Sequence, residues 1–129
     1  MPLLRIDIIE GRSKETLSKM LDVLHECVVE AFEVPQRDRF QIVSQHKPEE
    51  MIIQDVGLGF ERTKNVVVIQ MTTTPRTLTS RKLFYSLTAK RLHKECGIAP
   101  SDLMINIISS SESNWSFGNG EAQFLNGSI

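Results

Sequence analysis

The hydrophobic pattern changes period four times along this chain. Leu4, Ile6 and Ile8 alternate with Arg5 and Asp7, the period of a strand with one face in a core. Gly11-Arg12-Ser13 then turns the chain, and Ser13 is placed to cap a helix. Leu17, Met20, Leu21, Leu24, Val28, Ala31 and Phe32 follow at helical spacing, which predicts one amphipathic helix over about residues 14 to 32. His25 falls beside that stripe and reads as a boundary histidine. Val34-Pro35 ends the helix, and Phe40 to Gln45 reads as a second strand.

The segment Lys47 to Thr63 is polar and turn-rich, a loop with room for a short hairpin at Met51-Ile52-Ile53. Its glycines, Gly57 and Gly59, are followed by no GK[ST] signature, so they make no phosphate loop. Val66 to Thr72 is a β-branched run expected at a sheet centre. Thr77 to Ser80 supply cap candidates, and Leu83, Phe84, Leu87 and Leu92 mark a second helix to about Cys96, with Gly97 as its terminator. After Ala99-Pro100-Ser101-Asp102, Leu103 to Ile108 forms the fourth strand.

The two halves, about 1–46 and 65–109, therefore run alike, and the proline turn with Asp38 matches loosely the one with Asp102. This is a duplicated β-α-β chain: one domain over 1–129, α+β class, a four-stranded mixed sheet with two helices on one face. The tail, 110–129, is expected to form a short C-terminal hairpin. The sheet face without helices needs cover, which predicts an oligomer with an apolar interface, trimeric or higher.

Composition narrows the function. A net charge of -1 with no run of one sign argues against a nucleic-acid partner or a membrane surface. No apolar stretch spans a bilayer, and charges at Arg5, Asp7 and Glu10 break any signal-peptide pattern, so a cytoplasmic protein is expected. Cys27 and Cys96 lack metal-ligand spacing and read as buried thiols, and the three histidines make no cluster. No metal or cofactor is expected.

The candidate chemistry lies at the start. Aminopeptidase trimming of Met1 before a small residue exposes Pro2, a secondary amine held by a ring at the head of a strand. Such an amine is a general base when neutral and a general acid when protonated. Burial and a nearby arginine favour the neutral form, and a carboxylate favours the charged one.

Several stretches together resemble a known family. They are Met1-Pro2-Leu3-Leu4, Val34-Pro35-Gln36-Arg37-Asp38-Arg39, Gly57-Leu58-Gly59, Pro75-Arg76, Cys96-Gly97-Ile98-Ala99 and Asn114-Trp115-Ser116-Phe117-Gly118. The chain is similar along nearly its whole length to the tautomerase superfamily, and within it to the malonate semialdehyde decarboxylases. The resemblance implies a cofactor-free homotrimer acting on a small anionic oxo acid. It implies Pro2 as catalytic acid, Asp38 as its polar partner, Arg76 as carboxylate binder, and Trp115, Phe117 and Phe124 as an apolar wall. One position departs: where the decarboxylase pattern has a second arginine, this chain has Thr74. Decarboxylation of a 3-oxo acid, with hydration as a side activity, is the expected reaction. The alternatives are a keto–enol tautomerase with neutral Pro2 as base, and a catalytically silent trimeric binding protein.

Overall fold

The computed structural model describes residues 1–129. Strand β1 (Leu3–Ile9) leads into helix α1 (Lys14–Phe32) and strand β2 (Phe40–His46). Strand β3 (Val67–Thr73), helix α2 (Leu78–Cys96) and strand β4 (Leu103–Ser109) repeat the unit. The sheet order is β2-β1-β3-β4. Each half pairs its own strands in parallel, and β1 meets β3 antiparallel at the centre. The duplicated fold expected from the sequence is thus observed.

The capping chemistry explains the helix limits. Ser13 and Thr77 have extended backbones, and their hydroxyls accept the amides of Thr16 and Ser80. At the far ends, Glu33 and Gly97 take left-handed conformations with φ of 53° and 68°. Glycine adopts that conformation without a steric cost, and Glu33 does not.

Leu4, Ile6 and Ile8 of β1 and Val67, Ile69 and Met71 of β3 point under the helices and are fully buried. They meet Leu24, Cys27 and Val28 of α1 and Phe84 and Leu92 of α2. Because β1 and β3 are antiparallel, the helices are too. Phe32 at the end of α1 packs on Phe84 near the start of α2, with ring centroids 5.3 Å apart. Glu26 pairs with Arg91 across the helices at 2.8 Å.

Burial pushes the Cys27 thiol up to about 11 from an ordinary 9.0. A raised folded-state value stabilises the fold below the unfolded value, and the gain is lost as pH climbs through the folded one. Stability is therefore expected to fall between pH 9 and 11, by about 2 kcal/mol from this thiol. Urea unfolding of wild type and Cys27→Ala across that range checks it; equal slopes would exclude the thiol as the cause.

Four expectations are corrected. Met51-Ile52-Ile53 forms no hairpin; the chain there is irregular, with Met51 buried and Ile52 exposed. The C-terminal hairpin reduces to a single bridge between Gly118 and Glu121, because positive-φ Asn119 and Gly120 turn the chain at once. The helix-free sheet face is not uniformly apolar. Its central row, Ile42-Arg5-Gln70-Asn106, is mostly polar, and Asp7 pairs with His46 on the same face at 2.6 Å. Cys27 is buried as expected, but Cys96, in the last turn of α2, is only partly covered.

No helix is long and apolar enough to cross a membrane.

Candidate active site

The start of β1 lies between β2 and β3, so residues entering β2 and leaving β3 converge on it. Pro2 is buried there. The chain begins one residue earlier, and the ammonium of Met1 stands in for the amine that Pro2 would carry after trimming. This ammonium donates to Asp38 Oδ2 at 2.5 Å. Asp38 is 8% exposed, and its second oxygen, Oδ1, has no partner in the protein. A buried carboxylate oxygen left open is an acceptor for the proton of a water or a substrate hydroxyl.

Asp38 is held by local structure. Its amide donates to Pro35 O at 3.0 Å, which closes the turn after α1. His25 Nε2 donates to Gln36 O at 2.7 Å inside the same turn. His25 is 5% exposed, so the boundary role expected for it is corrected: it is buried and braces the turn that presents Asp38. A histidine facing a loop carbonyl carries no sequence signal, because the loop comes to it only after folding. Arg39, just beyond, pairs with Asp22 of α1 at 2.9 Å and ties the entry of β2 to the helix.

Arg76 approaches from the end of β3. It is half-buried, and no carboxylate lies within ion-pair distance of it. Its Nε donates to Thr73 Oγ1 at 3.1 Å, and its guanidinium lies 5.6 Å from the centroid of Phe32. Thr73, fully buried, is a positioning residue that sequence reasoning did not single out. Thr74 is half-buried in the bend between Thr73 and Arg76. Burial draws the Arg76 guanidinium below its usual range, and Asp38 opposes this.

The same surroundings act on the amine. Burial lowers its pKa from the ordinary 8.0, and Arg76 adds to that. The hydrogen bond and charge of Asp38 pull the other way without offsetting burial. For this amine the net direction is downward, with burial outweighing Asp38.

The tail crosses the helix-free face at this end of the sheet. Ser110 N donates to Thr73 O at 2.8 Å and starts it off. Trp115, Phe117 and Phe124 form one cluster. Phe117 stacks on Trp115 at 5.5 Å and meets Phe124 edge-on at 5.5 Å. Phe40, absent from the sequence-based wall, stacks on Phe117 at 5.8 Å and anchors the tail to β2. Gln123 holds the turn by accepting Phe117 N and donating to Gly118 O. A cavity of about 200 Å³ opens among Leu3, Phe40, Trp115, Ser116 and Phe117. Trp115 Nε1 is buried without a partner, a spare donor in an apolar wall. Leu3 joins this cavity to Pro2 along the chain.

Two family models match, each described as a tautomerase enzyme, one over residues 38–118 and the other over residues 2–61. "Probable tautomerase YrdN" of Bacillus subtilis (strain 168) is 55% identical over 100% of both chains. The chain belongs to the tautomerase superfamily, a family of enzymes. A solved structure of malonate semialdehyde decarboxylase, described with decarboxylase and hydratase activities, is 40% identical. It superposes with a TM-score of 0.96 and covers 98% of each chain. A fused 4-OT, described as a symmetric trimer, shares the fold with a TM-score of 0.79 at 16% identity, covering 97% of this chain and 98% of its own. The tautomerase superfamily enzyme seen here is thus malonate semialdehyde decarboxylase-like in sequence and backbone.

Proposed function

We propose that this enzyme uses its N-terminal proline, freed by loss of Met1, to act on a small oxo acid, most simply by decarboxylating a 3-oxo acid. The single observation carrying this reading is the convergence at the head of β1. There the terminal amine is bonded to Asp38, and Arg76, a cation with no acidic partner, is close enough to act on it. The likeness to malonate semialdehyde decarboxylase supports the reaction class.

In this scheme Arg76 grips the substrate carboxylate through its N–H fork. Protonated Pro2 donates to the 3-oxo oxygen. The bond between C2 and the carboxylate carbon breaks, and its electron pair moves into the enolate that Pro2 stabilises. Neutral CO2 departs, and C2 of the enolate takes a proton from water, the hydroxide left being neutralised by solvent. The apolar wall of Trp115, Phe117 and Phe124 favours this change, because it solvates a carboxylate poorly and CO2 well. Asp38 holds the ammonium, and its open Oδ1 can orient a water for hydration.

A second reading is favoured by the lowered pKa of the terminal amine. Neutral Pro2 would act as base in a keto–enol tautomerisation, moving a proton from carbon to oxygen of a 2-oxo acid.

Thr74 separates the two. Thr74→Arg restores a second cation, and one charge-assisted hydrogen bond is worth ~1.5–3 kcal/mol. Decarboxylation of malonate semialdehyde is expected to rise roughly tenfold or more, with tautomerisation of phenylenolpyruvate little changed. A variant with neither activity changed would place the divergence elsewhere and leave the decarboxylase reading without support.

The assembly proposed is a homotrimer through the helix-free face. Ile42, Met104 and Ile108 lie exposed there beside Arg5, Gln70 and Asn106, so the interface is mixed rather than dry. Sedimentation at micromolar concentration is expected to give a trimer; a monomer would refute it.

A further inference from the structure

The duplication places a second constellation at the opposite end of the sheet. β3 starts 64 residues after β1, and α2 starts 64 residues after α1. At the same spacing Arg76 follows Arg12, Thr77 follows Ser13 and Asp102 follows Asp38. Because β1 and β3 are antiparallel neighbours, what gathers at the head of β1 has its counterpart at the head of β3.

A cavity of about 230 Å³ lies there, lined by Ile9, Glu10, Gly11, Arg12, Lys64 and Asn65. Arg12 is half-buried, as Arg76 is, and neither it nor Lys64 has an acidic partner within ion-pair distance. Arg12 Nη2 donates to Asn65 O at 2.8 Å, which fixes one arm of the fork and leaves the rest. Burial draws the Arg12 guanidinium below its usual range, with Asp102 opposing, the same balance that Arg76 shows against Asp38.

The two places differ in what their aspartates hold. Asp102, 1% exposed, accepts Thr63 N at 2.6 Å and Thr63 Oγ1 at 2.5 Å, so both of its oxygens are committed. Val66 stands where Pro2 stands in the first half, inside a continuous chain with no amine to free. The acid–base group is gone, and the unpaired guanidinium remains.

We propose that the Arg12–Lys64 cavity is a second, non-catalytic site for a small carboxylate, of the class read by Arg76. A guanidinium partly withdrawn from water with no carboxylate in direct contact, Asp102 being committed to Thr63, is stabilised by an anion, and its fork fits a carboxylate. Glu10 on the same wall, together with Asp102 acting on Arg12, offsets much of the charge of Arg12 and Lys64, which favours a monocarboxylate over a dianion. The inference rests on the proposed carboxylate role of Arg76.

The test is a titration of the ¹⁵N-labelled mature enzyme with propionate, an inert monocarboxylate, at constant ionic strength. The backbone amides of Gly11 and Asn65 report the second site, and the Arg76 Nε–H reports the first. Gly11 and Asn65 are expected to shift saturably, with a Kd in the millimolar range. Arg12→Gln should abolish those shifts and leave that of Arg76. Lys64→Gln, at an exposed position, should weaken them about fivefold, and it serves if Arg12→Gln does not fold. The proposal is overturned if Gly11 and Asn65 stay still while Arg76 saturates, or if chloride shifts them equally, an adventitious ion only. Shifts at Gly11 and Asn65 with a silent Arg76 would support the second site and remove the carboxylate role of Arg76.

Discussion

Enzyme that retains Met1 is expected to turn over substrate at least ~10²–10⁴-fold more slowly than enzyme beginning at Pro2, the usual contribution of a positioned acid or base. With Met1 attached, the Pro2 nitrogen is a tertiary amide. It has no proton to give, and its lone pair is delocalised into the carbonyl. The Met1 ammonium also occupies Asp38 Oδ2, the contact that the proline amine would need. Intact mass sorts the two forms, and a non-cleavable N-terminal extension supplies a clean retained form. Equal turnover by both would end the proline mechanism. The pH profile then separates the two reactions. Burial holds the terminal amine below 8.0 in the Met1-bearing chain, and the same surroundings act on Pro2. A reaction using neutral Pro2 as base should rise with pH through an inflection below the ordinary value of an N-terminal proline amine and level off, because burial lowers the pKa of the amine at this place. One needing protonated Pro2 should fall through the same inflection.

Arg76→Ala is expected to lower kcat/KM for every anionic substrate by roughly ten- to more than a hundredfold, equivalent to ~1.5–3 kcal/mol. Arg76 is the half-buried cation closest in role to the amine, and an anion entering an aromatic pocket needs a fixed cation to offset its lost hydration. Stability should change far less. Arg76 forms no ion pair; its ties are one bond to Thr73 and a cation–π contact with Phe32, each worth about 1 kcal/mol or less at a partly exposed site. Kinetics and a melting curve on one preparation distinguish the roles. A twofold loss of kcat/KM or less, about 0.4 kcal/mol, would make Arg76 a structural turn residue. A variant Arg76→Lys keeps the charge without the fork and should fall between.

The halves of the fold were readable because each element carries its own local signal. Alternation in β1, the seven-position stripe of α1, the caps Ser13 and Thr77 and the stop at Gly97 depend on neighbours within a few residues. The hairpin at Met51-Ile52-Ile53 failed for the same reason reversed. A short apolar run says that something is buried, and only Met51 is, without strand pairing.

Pro2 was legible from the sequence alone, and its partners in the candidate site only through family likeness. Pro2, Asp38 and Arg76 are separated by most of the chain, and no periodicity links them. The sequence by itself determined the duplicated β-α-β units and put Pro2 at the head of the first strand, whereas the significance of Thr74 came from the family pattern. Only the tertiary structure decided that β1 and β3 pair antiparallel. That pairing brings the end of β3 to the head of β1, so Arg76 reaches the amine beside Asp38. It also sets Arg12 at the mirrored end, while the path of the tail brings Phe117 to Phe40 and the packing of the first unit sets His25 under the Asp38 turn. Contacts between residues far apart in the chain form when the sheet closes over a shared core, and no local pattern encodes which distant residue arrives.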